Sequence, residues 1–304
     1  MASAEKNAAP TKGTGKPRQK AESMADRLDA LVVGLVLCGG AVYYVNSVPY
    51  VANFSWENMP LMHEYSWSMP TIAIVVYLAF VHGVKSKKED DKDSENTTFV
   101  RVLNVLLKYW NLFLTILSLF MFLGLLVPFD IVCDSSLLRW KGPAFFCLVI
   151  FTFSKYIELF DTFFLIVRRK PVSFLHWYHH CTVLAYTWFA ILARFSPGWY
   201  FSVINCFVHT IMYWYYYRRA CGVYLTYDKF ITTIQLLQMI LGVVATGVWT
   251  ATFFVYGSAC PCLAPYPAIV AAVVMYGSYF YLFYLFYKQR YNKAAGAKAA
   301  SKEE

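Results

Sequence analysis

The sequence predicts an all-α, polytopic membrane protein with about seven to eight transmembrane helices. Three observations carry that reading. Hydrophobic residues make up 59% of the 304 residues, and aromatic residues alone make up 19%. Charged residues are only 15%, against roughly 25% in an average soluble domain. The apolar residues are also gathered into separate runs of spanning length rather than spread along the chain. A soluble protein of this size cannot hide so much apolar surface. A disordered chain, a disulfide-rich miniature and an ordinary soluble enzyme are excluded on the same grounds.

Taken in order, the apolar runs lie near 29–48, 69–84, 110–128, 144–167, 175–193, 199–217, 231–256 and 267–287. They define one transmembrane domain over 28–288. Residues 1–27 form a polar, basic tail with no short apolar stretch directly after the initiator, so no cleavable signal is expected. Residues 289–304 form a second polar tail, expected, like the first, to be disordered. No soluble domain and no internal repeat is visible.

The net charge of +9 sits between the apolar runs, which speaks for membrane orientation rather than nucleic-acid binding. With the N-terminus placed in the cytosol, 23 of the 27 Lys and Arg residues fall on the cytosolic side. The other side holds Arg139, Lys141 and Arg194, and Lys155 lies within a helix. Both termini are then expected in the cytosol. The eight cysteines show no CxxC pair and no zinc spacing, and no metal site is expected. Most lie inside apolar runs as small buried hydrophobes.

Ionisable and polar residues inside spanning helices are costly and need a reason. Four clusters stand out. In the fourth run, KYIELFDT places Lys155, Glu158, Asp161 and Thr162 on one helical stripe; Lys155 and Glu158 can also be read as a structural ion pair. The fifth run opens with FLHWYHH, so His176, His179 and His180 share one face of one turn. Such a set suits metal binding, or base and nucleophile chemistry by neutral imidazoles. The sixth run, NCFVHTIMYWYYY, brings Asn205, His209, Met212, Tyr213 and Tyr216 to one side, while Tyr215 and Tyr217 read as an interfacial belt. The seventh run carries Thr232, Gln235 and Gln238, a row that elsewhere simply joins helices by hydrogen bonds. By the predicted topology all four clusters lie in the cytosolic halves of their helices. Together they can build a polar chamber open to the cytosol with an apolar closed end, a shape that suits an amphiphile with a polar head and a long tail.

KYIELFDT, FLHWYHH, NCFVHTIMYWYY and TTIQLLQ, in this order and spacing, resemble the ELO family of fatty acid elongases over about residues 69–287. The resemblance implies a condensing enzyme of the endoplasmic reticulum that joins a long-chain acyl-CoA to malonyl-CoA, giving 3-oxoacyl-CoA, CO2 and CoA. It implies a helical barrel around an acyl-CoA tunnel, no cofactor beyond these substrates, and the reductases and dehydratase of the elongation cycle as neighbours. The HWYHH form resembles members acting on saturated and monounsaturated chains. The family usually has seven spanning helices, so the 29–48 run is an additional one.

With that chemistry, His179 is the expected acyl carrier or base, with His176 and His180 beside it. His209 is expected to polarise a carbonyl, with Asn205 and Gln235 or Gln238 as neutral donors. Asp161 and Glu158 are expected to orient the histidines. Lys155, Arg168, Arg169, Lys170, Arg218 and Arg219 lie on the side from which the phosphates of CoA enter. Thr162, Met212, Tyr213 and Tyr216 complete the expected lining. The predicted topology also puts Cys133, Cys260 and Cys262 in lumenal loops, where one disulfide is expected. The resemblance favours the Cys133–Cys262 pairing. Asn53-Phe-Ser55 is a glycosylation sequon on the lumenal side, and Asn96-Thr-Thr98 is one on the cytosolic side. Two other readings remain at this point. A membrane di-iron desaturase needs about eight histidines, and the chain has six. A transporter or receptor for an amphiphile would bind without turnover.

Overall fold

The structure, a computed structural model, describes residues 24–84, 98–126, 140–195, 197–223, 225–256 and 266–303. Eight long helices follow the predicted runs in order. They are α1 (Met24–Ser47), α2 (Ser68–Gly83), α3 (Thr98–Leu126), α4 (Gly142–Val167), α5 (Phe174–Leu192), α6 (Gly198–Ala220), α7 (Asp228–Tyr256) and α8 (Tyr266–Glu303). No strand occurs among the described residues, only an isolated backbone bridge between Ser55 and Lys141. The chain is thus an all-α polytopic membrane protein. Among the described residues, α3, α4, α7 and the Tyr266–Arg290 part of α8 are long and apolar enough to cross a membrane, and α2 is a shorter apolar helix.

The helix ends follow from local chemistry. α4 begins with Pro143 in its first turn, where the missing N–H costs nothing. α5 begins at Ser173, whose hydroxyl accepts the N–H of His176 at 3.2 Å. Three helices close the same way. The N–H of Lys170 reaches the carbonyl of Leu165, that of Phe195 reaches Ala190, and that of Val223 reaches Arg218. Each closure needs a preceding residue in the left-handed region: Arg169 (φ 56°), Arg194 (φ 49°) and Gly222 (φ 82°).

Two boundaries depart clearly from the sequence reading: α8 runs on to Glu303 through the 289–304 tail expected to be disordered, in a stretch rich in the helix formers Ala and Lys, and the start of α3 differs as well. α3 starts at Thr98 rather than near residue 110. The added turns contain Arg101 and Lys108, which interrupt an apolar run but not a helical pattern with Leu103 buried on its inner face. α4 tightens at Leu159, whose N–H bonds to the carbonyl of Tyr156 at 3.3 Å. The turn falls between Glu158 and Asp161. The tail expected over 1–27 lies outside the described residues up to residue 23.

Six helices form a ring. α3 packs on α6, α6 on α7, α7 on α8, α8 on α5, α5 on α4, and α4 back on α3. α2 lies outside the ring against α5, and α1 lies outside against α3 and α4. α3 and α4 approach closely at Gly124, where a Cβ would stand 2.3 Å from Cys147 Sγ. One end of the ring is covered by the segment between α1 and α2. There Phe54, Met59 and Met62 are buried with Trp140, Phe145 and Trp199 in one apolar cluster. Arg194 stacks on Trp56 at 5.0 Å, and Trp188 donates its indole N–H to the carbonyl of Ser66. This covered end is called the cap below.

Candidate active site

The face of α5 that the sequence marked points into the ring. His176 and His180 stand one turn apart with ring centroids at 4.5 Å, and His179 is 5.7 Å from His180. The Nε2 of His176 shares a hydrogen bond of 2.8 Å with the Thr162 hydroxyl. Thr162 in turn meets the hydroxyl of Tyr77 at 2.8 Å. A residue of α2, outside the ring, thereby fixes the orientation of a histidine inside it. His179 packs against the ring of Tyr279 at 4.8 Å. The Tyr279 hydroxyl donates to the His179 carbonyl at 3.1 Å and meets Thr182 at 2.7 Å. The Nδ1 atoms of His179 and His180 are buried without a hydrogen-bond partner.

Opposite stands α6, with Asn205, His209 and Tyr213 buried along one side. The stripe on α4 divides into two parts. Asp161 accepts the indole N–H of Trp110 at 2.7 Å and the hydroxyl of Tyr213 at 2.6 Å. It therefore holds α3 and α6 together at the chamber wall, and its hydrogen bonds go to these two groups and not to the histidines. Lys155 and Glu158 are 2% and 3% exposed, and they line neither of the cavities described next. The Lys155 ammonium donates to Glu158 at 2.7 Å and to the Asn205 side-chain oxygen at 3.0 Å, and it sits 4.3 Å from the centre of the Phe151 ring. Ser154 adds a bond to the same carboxylate oxygen at 3.1 Å. The other oxygen lies 3.7 Å from His209 Nδ1, beyond hydrogen-bond length. Because the ammonium has no acceptor, it must meet the oxygen of the Asn205 amide. That leaves the amide's two N–H groups facing the other way.

These side chains enclose two connected spaces. A chamber of about 890 Å³ is lined by Asp161, His176, His179, His180, Asn205 and His209. Met212, Tyr213, Tyr216, Gln235 and Gln238 extend that lining. It opens at the end where α4 stops and α5 starts, beside Arg168, Arg219 and Arg290. The second space is a cleft of about 40 Å³ that runs toward the cap between Phe151, Tyr186, Phe201, Met239, Tyr276 and finally Trp140 and Phe195. His179, Asn205, Gln238 and Met239 belong to both linings. His179 therefore stands where a wide polar chamber narrows to a mostly apolar cleft.

Of the remaining expected residues, Thr162, Arg169, Lys170 and Arg218 lie outside both linings; Thr162 is fully buried between Tyr77 and His176, and Arg218 stacks on Trp214 at 5.7 Å instead. His82 packs on Trp177 at 5.4 Å, away from the chamber. Cys181 and Cys206 are buried free thiols outside both linings. Cys133, Cys260, Cys262 and Asn96 lie outside the described residues. Asn53 is exposed beside the cap, with its amide donating to the carbonyl of Pro49 at 2.8 Å. Sequence reasoning did not find Tyr77, Trp110, Tyr279, Asp228 or Arg290. The first three are aromatics within apolar runs and differ in no sequence pattern from lipid-facing ones. Asp228 accepts from Tyr215 and, at 3.4 Å, from Arg290 across the chamber mouth.

Fold and site together define a helical membrane protein built around an internal, histidine-lined chamber. The chain belongs to the ELO (GNS1/SUR4) family, whose model matches residues 62–299. It is 42% identical over 163 residues to a Trypanosoma cruzi protein named very long chain fatty acid elongase 4, covering 53% of this chain and 56% of that one. Another T. cruzi protein of the same name is 31% identical over 272 residues, covering 83% and 89%. A putative fatty acid elongase of Dictyostelium discoideum is 30% identical over 228 residues, covering 74% and 76%. No solved structure matches the chain.

Proposed function

We propose that the chain is a fatty acid elongase condensing enzyme. It joins a long-chain acyl-CoA to malonyl-CoA and yields 3-oxoacyl-CoA, CO2 and free CoA. One observation supports this most directly: His179 lies at the junction of polar chamber and apolar cleft, where the thioester of a long amphiphile falls when its tail fills the cleft. In this reading the unprotonated nitrogen of the neutral His179 ring attacks the thioester carbon, the CoA thiolate leaves and takes a proton from solvent, and an N-acyl-imidazolium forms, the protonated acyl-imidazole. Malonyl-CoA then enters the chamber. Loss of CO2 gives an enolate that attacks the acyl carbon, and His179 departs as the neutral imidazole. The dry surroundings protect an acyl-imidazole from water. The outward N–H groups of the Asn205 amide and the imidazole of His209 are placed to stabilise the oxyanions. His176 and His180 pack beside His179 and hold its ring environment. Arg168, Arg219 and Arg290 at the mouth suit the phosphates of CoA.

The HWYHH form supports saturated or monounsaturated acyl chains as the substrate class. The charge distribution supports a chamber open to the cytosol in the endoplasmic reticulum membrane, within reach of the other enzymes of the cycle. The test is turnover of acyl-CoA with labelled malonyl-CoA by the purified protein, read by mass spectrometry. Incubation with acyl-CoA alone is expected to release CoA and add the acyl mass to the His179 peptide. If neither appears while His179→Ala is inactive, His179 acts as a base and the two thioesters react directly.

A further inference from the structure

The wall of the cleft contains a notch that the reading so far does not use. Gly242 on α7 faces Tyr276 on α8 with no room between them. A Cβ at 242 would stand 2.2 Å, 2.3 Å and 3.0 Å from three atoms of the Tyr276 ring. These are ring atoms, held to the backbone by a single Cβ, and not the end of a flexible chain. The Tyr276 ring also meets Phe201 of α6 at a centroid distance of 4.5 Å. Tyr276 and Phe201 both line the cleft, and Tyr276 is only 6% exposed. The ring is therefore recessed into α7 as far as a backbone without a side chain allows. Ordinary contact with a Cβ begins near 3.4 Å, so an alanine at 242 would drive the ring more than 1 Å away from α7. Because Tyr276 and its neighbour Phe201 are both cleft walls, a ring moved off α7 changes the bore. That space is about 40 Å³, and a displacement of this size narrows it.

The notch lies one turn beyond Gln238, toward the cap, or about 6 Å along α7. It is past the level of His179 and does not touch the reacting atoms. We infer that Gly242 is a specificity-determining residue: by letting Tyr276 recess, it sets the bore of the cleft and admits long acyl tails. The inference rests on the assignment of the cleft to the acyl tail made above.

The experiment compares the full-length protein and its variants over a series of saturated acyl-CoAs from butanoyl to eicosanoyl, with malonyl-CoA in excess. Gly242→Ala is expected to lower turnover on the longest accepted chain, relative to the shortest, by about tenfold or more, the scale on which pockets discriminate a methylene or two. The short chains serve as the control for folding and chemistry. The double variant Gly242→Ala with Tyr276→Leu removes the displaced ring and is expected to return the ratio to within about twofold of the parent, since space and not the identity of residue 242 is at issue. Equal loss at all lengths, an unchanged profile, or no recovery in the double variant overturns the inference. Should Gly242→Ala fail to fold, Tyr276→Leu alone carries the test. It is expected to extend the profile to longer chains, and an unchanged profile overturns the inference. Equilibrium binding of labelled stearoyl-CoA separates the two readings. A parent protein that binds it but never elongates any chain refutes the condensing activity. Weaker binding by Gly242→Ala than by the double variant still supports the notch, and equal binding refutes it.

Discussion

Lys155 is a full positive charge enclosed among apolar helices, and its bonds explain why it is tolerated. Glu158 neutralises it, Asn205 takes its second hydrogen bond, and Ser154 adds a bond to the carboxylate. A buried pair of this kind is far more costly to halve than to remove. Lys155→Met leaves the Glu158 carboxylate uncompensated and is expected to lower stability by about 3–5 kcal/mol, measured by thermal unfolding in detergent. Lys155→Met with Glu158→Met is expected to recover most of that loss but not activity, because nothing then holds the Asn205 amide in one orientation. Asn205→Asp keeps an oxygen toward Lys155 but loses the N–H donors and gives the buried cluster two carboxylates for one ammonium; it is expected to unfold at a lower temperature than the parent and to turn over poorly. Tyr77→Phe removes the hydroxyl behind Thr162 and His176. Loss of one buried hydrogen bond is worth about 1 kcal/mol, so activity is expected to fall about fivefold with the fold intact. At this scale the sequence showed which polar residues belong to the site, because charges and imidazoles stand out in apolar runs. It did not show their partners. Tyr77 and Trp110 bond to the site through one polar atom each, and a Tyr or Trp in a membrane helix otherwise reads as belt or lipid-facing surface.

Helices were legible as runs, and their positions in the ring were not. The four motifs mark inner faces on α4, α5, α6 and α7, but α8 contributes Tyr276 and Tyr279 from a sequence of evenly spread aromatics. The inner face of α3 is marked only by Asn111, Thr115 and Ser118, all buried. Close approach between helices depends on small residues, and Gly124 is such a point for α3 and α4. Gly124→Ala would place a methyl 2.3 Å from Cys147 Sγ. It is expected to destabilise the protein by about 1–3 kcal/mol. Adding Cys147→Ala is expected to recover most of this, and a double-variant cycle in thermal unfolding measures the coupling.

For the molecule as a whole, the charge pattern and the cap make one joint expectation. Arg194, Lys141 and Asn53 all stand at the cap end, while the cluster of Arg168, Arg219 and Arg290 surrounds the chamber mouth. With the cap in the lumen, only the Asn53 sequon is open to glycosylation, and Asn96 is expected to remain bare when each is tested by single-site removal. Sugar on Asn96 would reverse the orientation. The chain segments carrying Cys133 and Cys262 leave α3 and enter α8, and α3 ends beside the cap, where the Trp199 indole N–H meets the Leu125 carbonyl at 3.2 Å. A disulfide between them is expected, seen as protection of both thiols from alkylation until reduction. The order of helices around the ring has a further consequence, for biogenesis. α3 has its largest interface with α6, yet α4 and α5 are synthesised between them. At roughly 5–20 residues per second, α3 spends on the order of ten seconds in the bilayer before its partner exists. Its inner face carries the polar Asn111, Thr115 and Ser118 among apolar residues, which in lipid would be a hazard. The Asn111 amide, however, donates to the carbonyl of Leu107 and the Thr115 hydroxyl to that of Asn111, each at 2.7 Å within α3 itself. These donors are satisfied by their own helix, so α3 can wait among lipids without exposing them and still offer α6 a surface to recognise.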